Sequence, residues 1–487
     1  MRVPRMRKVL RYLLMLVLGM FVLLNLNILV NFHPENRDGK MLEYQEVGNH
    51  LSGDIPHVQT GDAAKRSIII SKNNKSQFII PPNSFHNSSD DIPQSNIDAE
   101  NLTQIEQEIT RINSEQNIRN LYRYGLKLNH ESVVVLVQVH DRLEYLRILL
   151  DSLREVRGID KTLLIISHDV YLPALNALVR EVDFCPVLQI FFPHSLQLHP
   201  KSFPGEDPDD CSRNMKKEEA VKKKCKNAAY PDKYGHYREA RYCQTKHHWL
   251  WKLHHVFEHV QVMSNYEGLL LLLEEDYYVT PDVISILQMM WNLRKKDCKE
   301  CKILAAGNYD KNQNYGANAG KKLNIQSKNG SEVIGAFNSQ QVEVANWISS
   351  RHNMGMAFNA DLWNQIKGCA KEFCEFDDYN WDWTLQHLSS KCIPNQMKVL
   401  KMKATRVFHM GECGVHHKGK NCKPEEKKKT IQGIIETNRK YLFPNTVSIG
   451  GYSGLRLRDP KPNGGWGDLR DRQLCLSFVT NSSEKVP

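Results

Sequence analysis

Five consecutive leucines, residues 269–273, lead directly into Glu274, Glu275 and Asp276. An apolar run of this length, followed at once by polar residues, predicts a β-strand that is buried on both faces. Strands of this kind are typical of parallel sheets that carry helices on each side. The run therefore indicates an α/β fold and places three carboxylates where the strand leaves the core.

The sequence around this run alternates between strand and helix patterns. A helix is predicted over 144–158, because apolar residues recur three and four positions apart, and Gly158 is expected to end it. The Thr-Pro-Asp sequence at 280–282 predicts the start of a second helix that runs to Lys295, with the proline at its first position. Further strands are predicted over 132–140, 161–169 and 186–193. This order indicates a mostly parallel sheet, and such sheets bind ligands at the carboxyl ends of their strands.

The acids at 274–276 would then face a ligand. Carboxylates suit a hard divalent cation, and such a cation in turn binds phosphate oxygens. A solvated turn or a helix cap is the alternative for an acidic triplet taken alone. Polar clusters that follow other predicted strands favour the ligand site.

Residues 9–32 form an apolar stretch long enough to cross a bilayer, and basic residues precede it. The basic flank is expected to stay in the cytosol, which places the rest of the chain in the lumen of the secretory pathway. A cleaved signal peptide is the alternative, but the run is longer than a typical signal core and no small-residue cleavage site follows it. We predict a cytosolic tail at 1–8, a signal anchor at 9–32, a polar stem at 33–118 and a lumenal domain at 119–487.

Cysteines and glycosylation sequons agree with a lumenal location. All twelve cysteines follow the predicted anchor, which makes disulfides their expected state. A zinc cluster is the alternative, because Cys298 and Cys301 have CxxC spacing and His416 and His417 lie near other cysteines. No second CxxC pair follows at finger spacing, so disulfides are favoured. The sequons are at Asn74, Asn87, Asn101, Asn329 and Asn481.

The formal net charge is +10, with lysine clusters at 216–226 and 427–429. Clusters of this kind are expected to be solvated loops. No nucleic-acid-binding motif accompanies them, so we expect no nucleic-acid partner.

Several longer strings carry a family resemblance. They are QVHDR (138–142), SHD (167–169), GHYREARYCQTKHHWLWKL (235–253), LEEDYYVTPD (273–282), FDDYNWDWTLQ (376–386), HMGECGVHHK (409–418) and NGGWGD (463–468). Together they resemble the N-acetylglucosaminyltransferase II family of Golgi glycosyltransferases, over residues 130–478. The resemblance implies the GT-A fold, a Rossmann-like mixed sheet flanked by helices.

The same resemblance implies a reaction. N-acetylglucosamine would pass from UDP-GlcNAc to the 2-hydroxyl of the α1,6-arm mannose of an N-glycan that already carries N-acetylglucosamine on its other arm. This is the hybrid-to-complex conversion of N-glycans on glycoproteins. The anomeric configuration would invert, the cofactor would be Mn²⁺, and the enzyme would be a single-pass type II protein of the Golgi membrane.

The resemblance assigns Asp276 and His409 as metal ligands. Departure of UDP leaves negative charge on a diphosphate, and a divalent ion stabilises that charge. Glu274 and Glu275 are expected to orient the ligand or to face the sugar. A histidine in this apolar context is more often a core or surface residue, so the family position alone supports His409.

The nucleotide sugar is expected at the ends of the first two strands and on a nearby helix. Asp169 follows a strand, where a carboxylate can bond ribose or uracil. Residues 244–248 are expected to open a helix whose N-terminus favours anions, with Lys246 at a donor phosphate. Asp141 stands where asparagine is expected in this family. The implied nucleotide-sugar ligands are Gln138, Val139, His140, Asp141, Arg142, Asp169, Gln244, Thr245, Lys246, His247 and His248.

An inverting transfer needs one general base near the acceptor hydroxyl, and the acids of FDDYNWDWTLQ are the candidates. Asp382, between Trp381 and Trp383, matches the family's base. Asp377 and Asp378 are expected to cap the helix that follows them. The tryptophans are expected to pack in the core, and one of them also to contact the acceptor sugar.

The resemblance also implies disulfides and leaves Cys185 and Cys243 free. The segment 317–346 is longer than the family pattern, so no acceptor contact is assigned there. The implied pairs are Cys211–Cys225, Cys298–Cys301, Cys369–Cys392, Cys374–Cys475 and Cys413–Cys422.

Two other functions stay open at this point. A lumenal lectin or an inactive transferase relative would bind glycans without turnover, but the presence of Asp276, His409 and Asp382 argues against it. A related transferase that modifies the α1,3-arm mannose or an O-mannosyl glycan would share the acidic metal motif but lack the string DDYNWDWTLQ.

Overall fold

The computed structural model describes residues 78–80, 101–310, 313–319, 338–411 and 423–480. The predicted anchor, Cys413, Cys422 and every sequon except the exposed Asn101 lie outside these ranges. Within them, no helix combines the length and the apolar character that crossing a membrane requires. The anchor and the cellular location therefore stay predictions from the sequence.

The described strands and helices are interleaved along the chain. The strands are β1 (Phe78–Ile80), β2 (Leu126–Leu128), β3 (Val133–Val139), β4 (Leu164–His168), β5 (Val187–Phe191), β6 (Leu269–Glu274), β7 (Tyr277–Val279), β8 (Cys301–Ala305), β9 (Ser339–Asn346), β10 (Met356–Phe358), β11 (Lys398–Met402), β12 (Val407–His409) and β13 (Thr446–Tyr452). The α-helices are α1 (Leu102–Glu115), α2 (Leu121–Tyr124), α3 (Leu143–Arg154), α4 (Pro173–Arg180), α5 (Lys217–Lys223), α6 (Ala240–His254), α7 (Val283–Asp297), α8 (Ser349–His352), α9 (Ala360–Gly368), α10 (Ala370–Glu375), α11 (Trp381–Lys391), α12 (Pro424–Thr437) and α13 (Leu469–Ser477). Shorter turns of 3-10 helix are Ile159–Lys161, Gln261–Met263 and Arg439–Tyr441, and a π-helical turn, His255–His259, extends α6.

The leucine run forms β6 and is buried on both faces, as its sequence predicts. Leu269, Leu271 and Leu273 enter one core cluster, whereas Leu270 and Leu272 enter the other. Each fully buried leucine is worth roughly 1.5–3 kcal/mol relative to an exposed one. Because a shift of one residue would exchange the two faces, this burial fixes the register of β6 and of the acids after it.

β6 lies inside a nine-stranded sheet with the order β13-β9-β11-β8-β10-β6-β3-β4-β5. The strands β6, β3, β4 and β5 run parallel, as predicted, while β10 runs antiparallel to β6 and β8. The sheet is therefore mixed. Gln138 pairs with Ser167 on one side and with Glu274 on the other, so β3, β4 and β6 end at the same edge.

A separate two-stranded sheet joins β7 to β12. The pairing is antiparallel and sets His409 opposite Tyr277. The amide of Met410 also donates a hydrogen bond of 2.8 Å to the carbonyl of Asp276. A strand from late in the chain is thereby held beside the acids that follow β6.

The helix α1 belongs to the stem by the sequence prediction, yet it packs on the sheet. Ile105 and Ile109 are buried against Phe191 of β5. The side-chain amide of Asn113 donates to the carbonyl of Phe191 at 2.7 Å. The folded unit therefore begins before residue 119, while the other domain boundaries stay predictions.

Two predicted helix boundaries are wrong. The helix α3 ends at Arg154, and Gly158 instead starts a 3-10 turn with a φ of 87°, a conformation that glycine adopts without strain. The helix α7 has Asp282 as its N-cap residue, so Pro281 precedes the cap rather than opening the helix. The carboxylate of Asp282 is held by Nε of Arg406 at 3.0 Å, which fixes the backbone before the helix begins.

The disulfides implied by the resemblance are confirmed wherever both cysteines are described. Cys185 and Cys243 are free and buried, also as expected. The pair Cys374–Cys475 connects α10 to α13 across 101 residues of sequence. The other pairs are Cys211–Cys225, Cys298–Cys301 and Cys369–Cys392.

Candidate active site

The ends of β6 and β12 bring a carboxylate and an imidazole together. Nε2 of His409 lies 3.2 Å from Oδ2 of Asp276. The other oxygen of Asp276, Oδ1, is buried and has no hydrogen-bond partner among the described residues. A Cβ atom at Gly411 would lie 2.2 Å from Oδ2 and 3.0 Å from Nε2, so glycine leaves open the space that a larger residue would fill. Asp276 and His409 form a small cradle, which we call the ligand pair.

Glu275 is buried and holds the loop that follows β3. Its Oε1 accepts a 2.5 Å hydrogen bond from Nε of Arg142, and its Oε2 accepts one of 2.8 Å from the amide of His140. Arg142 also donates from Nη1 to Oδ2 of Asp276 at 2.8 Å. Glu275 thus contacts Arg142, which in turn contacts Asp276.

The charge of Asp276 is set by its neighbours. Burial raises its pKa, but the hydrogen bond to His409 and the charge of Arg142 outweigh burial and hold the pKa below its usual value. Glu274 is half-buried at the end of β6, and burial together with the charge of Asp276 raises its pKa. Glu274 and Asp276 therefore differ in how readily they ionise, and the surroundings of Asp276 favour its ionised form.

Asp169, after β4, is the centre of a second polar cluster. Its Oδ1 lies 2.6 Å from Nδ1 of His140, and its Oδ2 accepts a 3.1 Å hydrogen bond from the side chain of Gln244. Nδ1 of His248 lies 3.6 Å from Oδ2, while Nε2 of that ring bonds Oγ of Ser167 at 2.8 Å. Burial lowers the pKa of His140, but the hydrogen bond and charge of Asp169 outweigh this and raise it to about 9. His140 is half-exposed, and its Nε2 lies 3.8 Å from Oδ2 of Asp141.

The other residues of the string at 138–142 differ in burial and in their hydrogen-bond partners. Gln138 accepts a 2.5 Å hydrogen bond from Nζ of Lys252 on α6. The side chain of Val139 is fully buried, and its carbonyl accepts the amide of Asp169 at 3.2 Å. Asp141 is exposed.

Two of the residues expected at the nucleotide lie elsewhere. The helix α6 begins at Ala240, so residues 244–248 form its second and third turns and cannot offer a helix N-terminus to an anion. Lys246 is fully buried and donates from Nζ to the carbonyls of Phe376 and Asp378, at 3.1 and 2.8 Å. Nε2 of His247 lies 3.0 Å from Asp471 of α13. Placing Lys246 at a donor phosphate is therefore wrong, since its ammonium group is committed to the backbone.

Asp382 lies in the first turn of α11, whereas the ligand pair comes from the ends of β6 and β12. Its Oδ1 accepts the amide of Trp383 at 2.8 Å, and its Oδ2 accepts the side-chain amide of Asn353 at 3.0 Å. Burial raises the pKa of Asp382 above its ordinary value. A carboxylate with a raised pKa is a stronger base, which suits proton abstraction from a hydroxyl.

Tyr309 connects the two regions. Its hydroxyl donates to Oδ1 of Asn353 at 2.9 Å. Burial raises the pKa of Tyr309, and the charges of Glu274, Asp382 and Asp276 raise it further. Since these charges all act on one phenol, Glu274, Asp276 and Asp382 lie near Tyr309.

Asp377 and Asp378 do not cap α11 as expected; Asn380 is its N-cap residue. Both acids instead bind the loop of the NGGWGD string. Asp377 accepts the amides of Lys233 and Trp466, at 2.7 and 3.1 Å. Asp378 accepts the amide of Asn463 at 2.7 Å with one oxygen and that of Asn380 at 2.9 Å with the other. These two carboxylates join the start of α11 to the chain near its C-terminal end.

A cavity opens beside this segment. The rings of Tyr242 and Tyr379 stack at its side with centroids 5.1 Å apart. The lining consists of Arg213, Asp232, Glu239, Tyr242, Tyr379, Asn463, Gly464 and Gly465. Charged and aromatic groups are thus available a few residues from Asp382.

A model of the family described as N-acetylglucosaminyltransferase II (MGAT2) matches residues 106–475. The chain belongs to this family. The resemblance carried by the quoted strings is therefore confirmed over most of the globular part.

Named members of the N-acetylglucosaminyltransferase II family align over most of their length. The alpha-1,6-mannosyl-glycoprotein 2-beta-N-acetylglucosaminyltransferase of Sus scrofa is 45% identical over 370 residues, which are 76% of this chain and 78% of that protein. The Homo sapiens protein of the same name is 44% identical over 383 residues, 78% of this chain and 81% of that one. A solved mannosyltransferase from Pyrobaculum calidifontis covers 65% of this chain and 66% of its own, at 9% identity and a TM-score of 0.28. A TM-score this low supports no conclusion.

Three residues of this N-acetylglucosaminyltransferase II site were not predicted from the sequence. Asn353 and Tyr309 contact the carboxylate network, yet neither lies in a string with a chemical signature. Gly411 lies inside a quoted string, but the need for glycine there comes from its closeness to Asp276, which the β7–β12 pairing creates.

Proposed function

We propose that the chain is an inverting glycosyltransferase of the GT-A fold. It transfers N-acetylglucosamine from UDP-GlcNAc to the 2-hydroxyl of the α1,6-arm mannose of an N-glycan, in the hybrid-to-complex conversion. The observation that carries the proposal is that two different carboxylate sites, Asp276 with His409 and Asp382 with Asn353, both lie near Tyr309. We take them to face one active-site crevice. Family membership supports the identity of the transferred sugar and of the mannose arm that accepts it.

The ligand pair fits a divalent cation, which we take to be Mn²⁺. Asp276 offers an ionised carboxylate with one buried oxygen that lacks a hydrogen-bond partner among the described residues, and His409 offers an imidazole nitrogen. Oxygen and imidazole ligands together suit first-row divalent ions. When bound there, the ion neutralises charge on the diphosphate of the leaving UDP. Arg142 and Glu275 fix the position of Asp276 before any ligand arrives.

Asp382 is the proposed general base. It takes the proton of the mannose 2-hydroxyl as the oxygen attacks the anomeric carbon, from the side opposite to UDP. The side-chain amide of Asn353 holds one oxygen of Asp382, and the amide of Trp383 holds the other. Each carboxylate oxygen keeps a second lone pair for the substrate hydroxyl.

The Asp169 cluster is the proposed site of the nucleoside. A buried carboxylate at the end of β4 can accept hydrogen bonds from ribose hydroxyls or the uracil ring. His140 and Gln244 orient that carboxylate, and the half-exposed ring of His140 offers a cationic group to the diphosphate. The cavity with the stacked Tyr242 and Tyr379 offers aromatic and charged groups to the rest of the glycan.

We further propose that the catalytic unit lies in the Golgi lumen, held to the membrane by residues 9–32. The apolar length of that stretch and its basic flank support a signal anchor. The disulfides of the described domain support an oxidising compartment.

A linkage assay tests the function. The full-length chain in detergent is incubated with Mn²⁺, UDP-GlcNAc and three acceptors: an N-glycan with a free α1,6-arm mannose and N-acetylglucosamine on the other arm, one with a free α1,3-arm mannose, and an O-mannosyl peptide. We expect product only from the first, with a β1,2 linkage by NMR, and no product after chelation. Product from another acceptor would reject the assigned arm, and glycan binding without product would favour a lectin.

A further inference from the structure

Lys246 is a buried cation in the centre of α6 that the transfer reaction, as proposed above, does not use. Its side chain is fully buried. Nζ lies 4.3 Å from the ring centroid of Trp466 and 5.1 Å from that of Phe373. Burying an ammonium group is costly unless its hydrogen bonds are satisfied, so the contacts of Nζ indicate what the residue does.

The hydrogen bonds of Nζ go to the backbone in front of Asp382. The acceptors are the carbonyls of Phe376, at 3.1 Å, and Asp378, at 2.8 Å. The hydroxyl of Thr384, one turn into α11, lies 3.4 Å from the carbonyl of Asp378 and 2.8 Å from that of Asn380. One carbonyl is thus shared by a residue of α6 and a residue of the helix that carries Asp382.

The turn that Lys246 holds is also held from its other side. The carboxylate of Asp378 accepts the amides of Asn380 and Asn463. Its backbone carbonyl faces Lys246, so both ends of this residue are fixed. Removing the Nζ hydrogen bonds would release the backbone end while leaving the carboxylate end in place.

The opposite face of α6 belongs to the donor side. Gln244 and His248, two positions before and after Lys246, lie 3.1 and 3.6 Å from Asp169. Residues two positions apart lie about 200° apart around an α-helix. The same helix therefore contacts the Asp169 cluster with one face and the backbone before Asp382 with the other.

We propose that Lys246 is a positioning residue of the acceptor side: by holding the carbonyls of Phe376 and Asp378, it sets the distance between α6 and the first turn of α11, and so the place of Asp382 in the crevice. This inference rests on the proposed function, because it assigns Asp382 as the base. It differs from a phosphate-binding role, which would put Lys246 on the donor side.

The interaction needs hydrogen bonds more than charge. Burial lowers the pKa of Lys246 to about 7, although the charge of Asp378 opposes the shift. A neutral amine still has two N–H groups for two carbonyls. A glutamine, whose amide has two N–H groups and is one bond shorter, should therefore replace Lys246 in part, whereas methionine, which has none, should not.

The test compares Lys246→Met and Lys246→Gln with the wild-type full-length chain. UDP binding in the presence of Mn²⁺ is measured by calorimetry, and kcat and KM are measured for donor and acceptor. We expect Lys246→Met to bind UDP within about twofold of wild type while kcat/KM for the acceptor falls by about 10²-fold, the loss typical of misplacing a reactive group by 1 Å. Lys246→Gln should recover part of that loss.

Lys252 provides a matched control on the same helix. It is also buried, but its Nζ bonds Oε1 of Gln138 at the end of β3. We expect Lys252→Met to show the reverse pattern, with weaker UDP binding and a smaller change for the acceptor. The two variants would then show that one face of α6 affects UDP binding and the other affects the acceptor reaction.

Several outcomes would overturn the inference. Weaker UDP binding by Lys246→Met with normal acceptor kinetics would place Lys246 on the donor side. Equal losses for donor and acceptor, with no recovery in Lys246→Gln, would mean a general structural role. If Lys246→Met does not fold, Lys246→Gln decides alone, because weaker UDP binding there with normal acceptor kinetics would refute the positioning role. A wild-type chain that transfers to no acceptor would instead reject the proposed function.

Discussion

Replacing Gly411 by alanine would test the ligand pair through a single added methyl group. An alanine Cβ at this position would lie 2.2 Å from Oδ2 of Asp276, where ordinary contact begins at 3.4 Å. The two atoms must separate by the difference, about 1.2 Å. Asp276 cannot retreat freely, because Arg142 holds the same oxygen and the amide of Met410 holds its carbonyl.

The size of the effect follows from that displacement. Moving a group in an active site by 1 Å costs about 10²-fold in rate, and disturbing the surroundings of a metal ligand costs about 10- to 100-fold in metal affinity. We therefore expect Gly411→Ala to need about 10- to 100-fold more Mn²⁺ for half-maximal transfer, with a lower kcat/KM at saturation. The nearest atoms to the added Cβ belong to Asp276 and His409 and not to the Asp169 cluster.

The assay is a Mn²⁺ titration of transfer at fixed UDP-GlcNAc, paired with calorimetry of UDP binding. Gly433→Ala is the control, because Gly433 lies inside α12 and a Cβ there would meet nothing within 4 Å. That variant should keep wild-type kinetics and melt slightly higher, since alanine favours a helix by about 1 kcal/mol over glycine. If Gly411→Ala were half-saturated at the wild-type Mn²⁺ concentration, the assignment of Asp276 and His409 as ligands would be refuted.

Three further predictions concern the base and the disulfides. Asp382→Asn removes the proton acceptor, so kcat should fall by about 10²- to 10⁴-fold while donor KM stays unchanged; an intact kcat would move the base elsewhere. Asn353→Ala removes a hydrogen bond that lowers the pKa of Asp382. That pKa should rise, so the acid limb of the kcat–pH profile should move to higher pH; an unmoved limb would separate Asn353 from the base. Cys374→Ser opens the bond to Cys475 and should cost about 2–5 kcal/mol of stability, seen as reduced secretion of the soluble domain. Cys243→Ser should secrete normally, since a serine hydroxyl can donate to the Gly465 carbonyl that the thiol now faces.

The sheet edge that carries Asp169 and Asp276 could be predicted from the sequence because it rests on local patterns. The apolar side chains of a run such as 269–273 leave water only when both faces of the strand are buried. The parallel order of the strands then brings Asp169 and Asp276 to one edge of the sheet. Helix ends were harder to predict. Gly158 and Pro281 are strong local signals, yet the backbone around Asp282 is set by Arg406, which is 124 residues away.

The surroundings of Asp382 depend on contacts that no local pattern reveals. The string QTKHH suggests one polar surface, but its helix distributes Gln244 and Lys246 to opposite sides. Lys246 is buried, which cannot be read from the sequence, and its Nζ therefore bonds backbone carbonyls. Asn353 reaches Asp382 only because α8 and α11 pack together, and no residue near Asn353 in sequence signals that contact.

The disulfide Cys374–Cys475 and the bonds from Asp377 and Asp378 to residues 463–466 have a consequence for biosynthesis. Ribosomes deliver a chain from its N-terminus, and the strands that hold Asp169 and Asp276 are complete long before the last residues are made. The turn in front of Asp382 has to wait for residues 463–475 to be translocated and for a thiol to find its partner. A chain released by a late stop codon would therefore lack the partners that hold the turn in front of Asp382.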